Sequence, residues 1–246
     1  MNSFSKYYDA FVGADYDIIT DYIDGRIKKY KSDSTLLCDL GCGTASAAIE
    51  MAKRGYDMIA IDSDDGMLMQ ARDKLSEQNI NSVLLLNQDI TEFELYGTVD
   101  VIYSTLDTIN YILYKRDLSR LFYLVRNYLN YDGLFIFDIN SKYKFSRILA
   151  DNCYIYDSDD AFCSWHPEFD KKSGKCLHTL TYFEKNSDGT YRRCDSFQEQ
   201  RFYDPSYIEE LAGKYSFEIL EKADNYSDKC VNNTTERVTY VLKINK

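Results

Sequence analysis

Short runs of consecutive apolar residues alternate in this chain with stretches whose apolar residues recur every three or four positions. The runs are Thr35-Leu36-Leu37-Cys38-Asp39-Leu40, Met58-Ile59-Ala60-Ile61, Val83-Leu84-Leu85-Leu86, Val99-Asp100-Val101-Ile102-Tyr103 and Leu134-Phe135-Ile136-Phe137. They do not alternate apolar with polar, as a strand with one wet face would. They read as strands buried on both faces of a sheet. Between them, Ala45, Ala48, Ile49 and Ala52 mark one face of a helix, and Leu118, Leu121, Phe122, Val125 and Leu129 mark another. Strand, helix, strand with right-handed crossovers builds a parallel, doubly wound sheet. Its ligand belongs at the carboxyl ends of the strands.

The rest of the chain extends this pattern and then departs from it. The first thirty or so residues read as helical, with Ile19, Ile23 and Ile27 near one face. Gly55 closes the Ala45–Ala52 helix, Ser63 is placed to cap the next, and Asp132-Gly133 reads as a turn. Beyond residue 150 three long strands are expected, Cys153 to Trp165, Cys176 to Lys185 and Tyr191 to Tyr203. Asp170–Gly174 and Asn186–Gly189 supply hairpin turns between them. Asp204 then caps a helix with Pro205 at its first position, and two strands, Phe217 to Lys222 and Arg237 to Ile244, close the chain. The expected fold is α/β, a doubly wound, mostly parallel seven-stranded sheet with an antiparallel β insertion over its open end. Residues 1–150 and 204–246 form the core and residues 151–203 the insertion.

Composition removes several classes of function. Forty Asp and Glu against 29 Lys and Arg give a net charge of −11. A surface so acidic does not suit sequence-blind binding of a phosphate backbone, so no nucleic-acid partner is expected. No apolar stretch approaches the roughly 18 residues that a membrane helix needs. No basic segment followed by an apolar run opens the chain, so neither a membrane nor a secretory route is expected. Seven Cys without a Cys-x-x-Cys pair, and only two His, fit free thiols in a reducing cytoplasm, with no metal site expected. The 23 Tyr fit an aromatic-rich pocket or an AT-rich coding genome.

Asp39-Leu40-Gly41-Cys42-Gly43-Thr44-Ala45 joins a strand to a helix. Glycines there let backbone approach a ligand, and the helix N-terminus offers unpaired N–H groups. Asp62 ends the next strand, where ribose hydroxyls are commonly held. A nicotinamide dinucleotide site would share both features, which makes an oxidoreductase the alternative enzyme. Two residues disfavour it. Ser46 stands where the dinucleotide fingerprint has its third Gly. Asp39 places a carboxylate where that fingerprint has an apolar residue, and a carboxylate suits an ammonium group better than a pyrophosphate.

The segment Asp39–Thr44 resembles the signature loop of class I S-adenosylmethionine-dependent methyltransferases. Ile61–Leu68 resembles the second signature of that family and Gln88-Asp89-Ile90 the third. Phe135–Asn140 and the opening Tyr7-Tyr8-Asp9 resemble a bacterial subgroup of small-molecule methyltransferases that carries a β-rich late insertion. By that resemblance Gly41 and Gly43 pass under the methionine part of S-adenosyl-L-methionine and Asp39 holds its ammonium directly or through water. Asp62 accepts from the ribose hydroxyls and Met67 packs on the adenine. Asp89 accepts from the adenine amino group, and Ile90 offers a backbone N–H to the ring. Tyr8 and Asp107 are the candidate catalytic residues, Tyr8 facing the cofactor carboxylate or the acceptor and Asp107 the acceptor.

Departures from the family pattern narrow the expectation. Ala45 replaces a third Gly of the loop, at little cost if its φ is negative. The segment Ser104–Tyr111 lacks the Pro-Pro-Tyr motif that restrains amide and nucleobase nitrogens, leaving amine, hydroxyl, carboxylate or carbon acceptors. Gln198 stands where relatives often carry a His. His166 and His178 are expected at surface or structural positions, and Trp165-His166 could instead face the pocket. The expected activity is methyl transfer to a small molecule or short peptide, an amine nitrogen being favoured. A cofactor-binding protein without turnover is the non-enzymatic alternative.

Overall fold

The computed structural model describes residues 4–150, 152–158, 161–186 and 188–245. The main sheet contains β1 (Leu36–Leu40), β2 (Asp57–Asp62), β3 (Val83–Asn87), β4 (Val99–Ser104) and β5 (Leu129–Asn140), completed by the last two strands of the chain, β10 (Phe217–Asp224) and β11 (Arg237–Ile244). Its seven strands run in the order β10-β11-β5-β4-β1-β2-β3. Strands β1 to β5 pair in parallel, and β11 is antiparallel to both its neighbours.

The continuous apolar runs are explained by which way successive side chains face. Leu37, Met58, Ala60, Val101 and Tyr103 pack on one side of the sheet, against α2 (Tyr16–Tyr30), α3 (Ser46–Lys53) and α4 (Asp65–Glu77). Cys38, Leu40, Ile61 and Ile102 pack on the other, against α5 (Lys115–Tyr128) and α6 (Pro205–Lys214). Helices on both faces exclude water from both, so a polar side chain in these strands is costly unless a partner satisfies it. Asp204 caps α6 as expected, its carboxylate accepting from Ser206 N–H at 3.0 Å.

Local details differ from the sequence expectations. The N-terminal helical region is two helices, α1 (Phe4–Val12) and α2, broken at Gly13 with φ +56° and restarted by Asp15, which accepts from Ile18 N–H at 3.1 Å. The cap of α4 is Asp64, not Ser63. Asp62 Oδ1 accepts from Asp64 N–H at 2.9 Å, and Asp64 Oδ1 in turn accepts from Gly66 and Met67 at 2.7 and 3.0 Å. Asp132-Gly133 does not precede the strand. β5 runs through it with a register shift, Asp132 taking a left-handed φ of +59°.

The second sheet is antiparallel and has four strands, not three: β6 (Tyr154–Asp157), β7 (Ala161–Asp170), β8 (Lys175–Lys185) and β9 (Tyr191–Arg201). The first expected strand is a hairpin, reversed after Asp157, with Ser158 N–H donating to Ala161 O at 3.0 Å. The polar run Asp157-Ser158-Asp159-Asp160, between two apolar stretches, is the sequence signal of that reversal. Ala161, Cys163, Leu180 and Tyr182 of this sheet bury Phe11 of α1, with Tyr7, Tyr8 and Met67 packed alongside. α1 is tied to the main body by charge. Lys74 of α4 pairs with Asp9 and also donates to Thr44 Oγ1 and Ser46 Oγ, each at 2.8 Å.

Candidate active site

The glycine loop leaves β1 at the crevice where the strand order reverses. Gly41 and Cys42 N–H both donate to Ile61 O, at 2.8 and 2.9 Å, which folds the loop back over β2. Gly41 has φ +73°, and a Cβ there would lie 2.2 Å from Thr108 Cγ2, so only glycine fits. Gly43 has φ +55° and Ala45 φ +59°. The expectation for Ala45 is therefore corrected. Its backbone is left-handed, and its methyl group carries the strain that a third glycine would avoid.

Asp39 lies beneath the loop, 1% exposed, and neither of its carboxylate oxygens has a hydrogen-bond partner among the described residues. Burial pushes its pKa up to about 8, the nearby Tyr103 phenol working against that and Asp62 adding to it. A buried, unpartnered carboxyl is a site waiting for a cation, and an ammonium group satisfies it. Asp62 at the end of β2 accepts from Gly43 N–H at 2.8 Å on one oxygen and from Asp64 N–H on the other. Each oxygen keeps lone-pair capacity for a hydroxyl. Burial raises the Asp62 pKa against these two backbone bonds. The residues present thus fit an adenosyl group with an amino-acid tail.

A cavity of about 1030 Å³ opens above the strand ends. Tyr8, Gly41, Gly43, Asp62, Met67, Asp89, Ile90 and Asp107 line it, and Asp39 underlies it. The nine residues singled out in the sequence are therefore brought together. Asp89 Oδ1 accepts from the N–H and the hydroxyl of Thr91, each at 2.7 Å, which fixes the carboxylate at the rim. Small-molecule sites usually run to roughly 300–1,000 Å³. This one is large enough for two ligands side by side.

The far wall is where sequence reasoning fell short. Leu106 and Asp107 both adopt left-handed φ, +55° and +58°, at the end of β4, just before a 3₁₀ turn over Thr108–Tyr111. That conformation turns the Asp107 carboxylate toward β9 and β11, where Gln200 Nε2 donates to it at 2.6 Å and Arg237 pairs with it. Burial pushes Asp107 up, but Lys144, Arg237 and Gln200 together hold it below the usual carboxylate value. Arg237 also faces Asp138, whose other oxygen accepts from Tyr226. His178 is 4% exposed and lines the cavity, whereas His166 is exposed and takes no part. The strand register could have found His178, since it stands directly opposite Gln198 on β9.

Comparisons with known proteins agree with this geometry. Residues 37–133 match the methyltransferase domain family. A Geobacillus sp. (strain WCH70) protein whose name calls it a methyltransferase is 28% identical over 98% of both chains. The crystal structure of an S-adenosylmethionine-dependent methyltransferase from Clostridium acetobutylicum superposes with a TM-score of 0.89 at 32% identity, covering 100% of this chain and 99% of that one. An amino pentose methyltransferase from Micromonospora echinaspora, at 15% identity and a TM-score of 0.77 over 97% and 96% of the two chains, shares the fold. A loop that only glycine can build, an orphaned carboxyl beneath it and full-length similarity to a solved relative lead to one family: the chain belongs to the class I S-adenosylmethionine-dependent methyltransferases.

Proposed function

We propose that this enzyme methylates an amine nitrogen of a small-molecule or short-peptide acceptor. One observation carries the reading: among the described residues, Asp107, His178, Tyr8 and Tyr111 on the acceptor side of the cavity are committed or held protonated. Asp107 is bound to Arg237 and Gln200. Burial pushes the phenols of Tyr8 and Tyr111 well above their usual value. The Nδ1 of His178 is taken by the Trp165 indole at 3.0 Å. A hydroxyl acceptor would need a base to become nucleophilic, while a neutral amine brings its own lone pair. Tyr8, Tyr111, Tyr154, Tyr156 and Trp165 give that pocket aromatic walls that tolerate a cationic product.

The residues divide by role. Asp39 holds the donor's ammonium, Asp62 its ribose hydroxyls, and Gly41 and Gly43 pass beneath its methionine part. Met67 packs on the adenine, and Asp89 and Ile90 read its edge. S-adenosylmethionine supplies an electrophilic methyl group on a sulfonium. Tyr8 and Asp107 position the acceptor, and the rings around them exclude water, so proximity supplies much of the rate. Residues 1–150 and 204–246 act as the donor-binding core, and residues 151–203 cover the acceptor.

The test is S-adenosylhomocysteine production with a series of small amines as a function of pH. The rate is expected to rise with pH, with a midpoint that follows each amine's own pKa. A midpoint that stays fixed across the series shows an enzymic base and overturns this reading.

A further inference from the structure

His178 and Lys144 face the cavity with donors that an attacking amine, whose lone pair goes to the methyl group, does not satisfy. An indole N–H only donates, so the His178 Nδ1 that accepts from Trp165 at 3.0 Å carries no proton. The ring is then neutral, with its proton on Nε2. That nitrogen is buried and has no hydrogen-bond partner among the described residues. The Gln200 side chain stands close to the ring, its nitrogen donating to Asp107 and its oxygen accepting from Asn140 at 3.2 Å. The stacked rings of Tyr154, Trp165 and His178 hold the imidazole in place.

Lys144 reaches the same wall from the short π-helical segment Lys144–Leu149. Its one hydrogen bond among the described residues in which the ammonium donates goes to Asn140 Oδ1, at 2.9 Å. No carboxylate of the described residues lies within ion-pair distance of it, because Asp107 and Asp138 are taken by Arg237. Burial lowers its pKa, and Asp107 opposes that from farther off. A half-buried cation without a counter-ion beside a buried donor without an acceptor is costly unless a ligand satisfies both.

We propose that His178 Nε2 and Lys144 Nζ form a subsite for an anionic oxygen group, a carboxylate or a phosphate, carried by the acceptor. This rests on the cavity being the acceptor pocket and names the acceptor as an amine with an acidic group. His178 binds as a donor in its neutral form and does not take the proton from the amine.

The probes are acetate and inorganic phosphate, with glycerol as the uncharged control, titrated into the protein saturated with S-adenosylhomocysteine. Nitrogen chemical shifts of His178 report its tautomer and its occupancy. The expected result is an Nε2–H ring in the unliganded pocket and a saturable shift with acetate or phosphate. Whichever of the two saturates at lower concentration identifies the group. Lys144→Met should weaken that binding at least 10-fold while S-adenosylhomocysteine affinity stays within two-fold. His178→Gln, which keeps a side-chain donor, should retain more binding than His178→Phe. A proton on Nδ1, a response to glycerol alone, or no saturable response to any probe overturns the subsite. None of those results touches amine methylation, which the pH series tests separately.

Discussion

Asp39 makes the donor site sensitive to protons, and the effect can be counted. With a pKa pushed up to about 8 by burial, its carboxyl is almost fully protonated at pH 6.5 before ligand arrives. An ammonium placed against it favours the carboxylate, so binding must expel the proton. Simple titration gives a release of about one proton at pH 6.5, falling to roughly a tenth of one at pH 9. Calorimetry of S-adenosylhomocysteine binding in two buffers of different ionisation enthalpy measures this number directly. Asp39→Asn removes the titrating group and should cut the release at pH 6.5 to near zero. The same substitution loses a charge-assisted hydrogen bond, about 1.5–3 kcal/mol, and weakens binding by about 10- to 150-fold. A wild-type release near zero at pH 6.5, or an unchanged release in the Asn variant, refutes the assignment of the ammonium to Asp39.

Other consequences follow from the same elements. Asp39 also affects the ligand-free fold: its pKa is raised from 3.8 to about 8, so it costs stability progressively as pH rises from about 4 to about 8. Urea unfolding of Asp39→Asn and wild type should therefore show the Asn variant gaining relative stability across that window and no further above it. Ala45→Gly should leave stability within about 1 kcal/mol of wild type, because relief of a left-handed alanine offsets the lost methyl group and the extra chain entropy. Ala48→Gly, at an equally buried position inside α3, should cost about 2 kcal/mol by the same denaturant assay. Gly41→Ala should cost about 2–4 kcal/mol, with thermal melts showing partial recovery when Thr108→Ala clears the neighbouring methyl. Tyr8→Phe should lower turnover roughly 10- to 100-fold in steady-state assays and leave the pH midpoint unmoved, since the phenol positions and does not titrate.

The main sheet was readable because burial on both faces writes itself into the sequence as unbroken apolar runs, as Met58–Ile61 and Leu134–Phe137 show. The donor side of the site was readable for a related reason. Gly41, Asp39 and Asp62 sit within a few residues of strand ends, so local order in the chain becomes order in space. The far wall had no such signal. Asp107 meets Gln200 across 93 positions and Arg237 across 130, pairings that only the topology creates. The left-handed backbone at Ala45, Leu106 and Asp107 was hidden as well, because none of these residues is a glycine. The hairpin after Asp157 did have a signal, the polar run Asp157-Ser158-Asp159-Asp160, which a single long strand leaves out of account. His166 and His178 could be told apart only by register: β7 turns the first outward, and β8 turns the second into the cavity.

The apolar cluster that α1 shares with the second sheet is separate from the two that flank the main sheet. Besides Met67 and the apolar cluster of Phe145, Leu149 and Cys176 with Phe169 and Phe202, what joins this outer layer to the rest is polar: Asp9 with Lys74 and Thr44, Asn110 with the Arg201 carbonyl, and Gln200 with Asp107. Polar ties exchange readily for water, whereas β1, β4 and β5 can part from their neighbours only by opening a dry core. The layer can therefore come away as one cooperative unit at a fraction of the free energy of global unfolding. In native-state hydrogen exchange the amides of α1 and of β6 to β9 should share one opening free energy, well below that of the central strands. A donor bound beneath α1 should raise it.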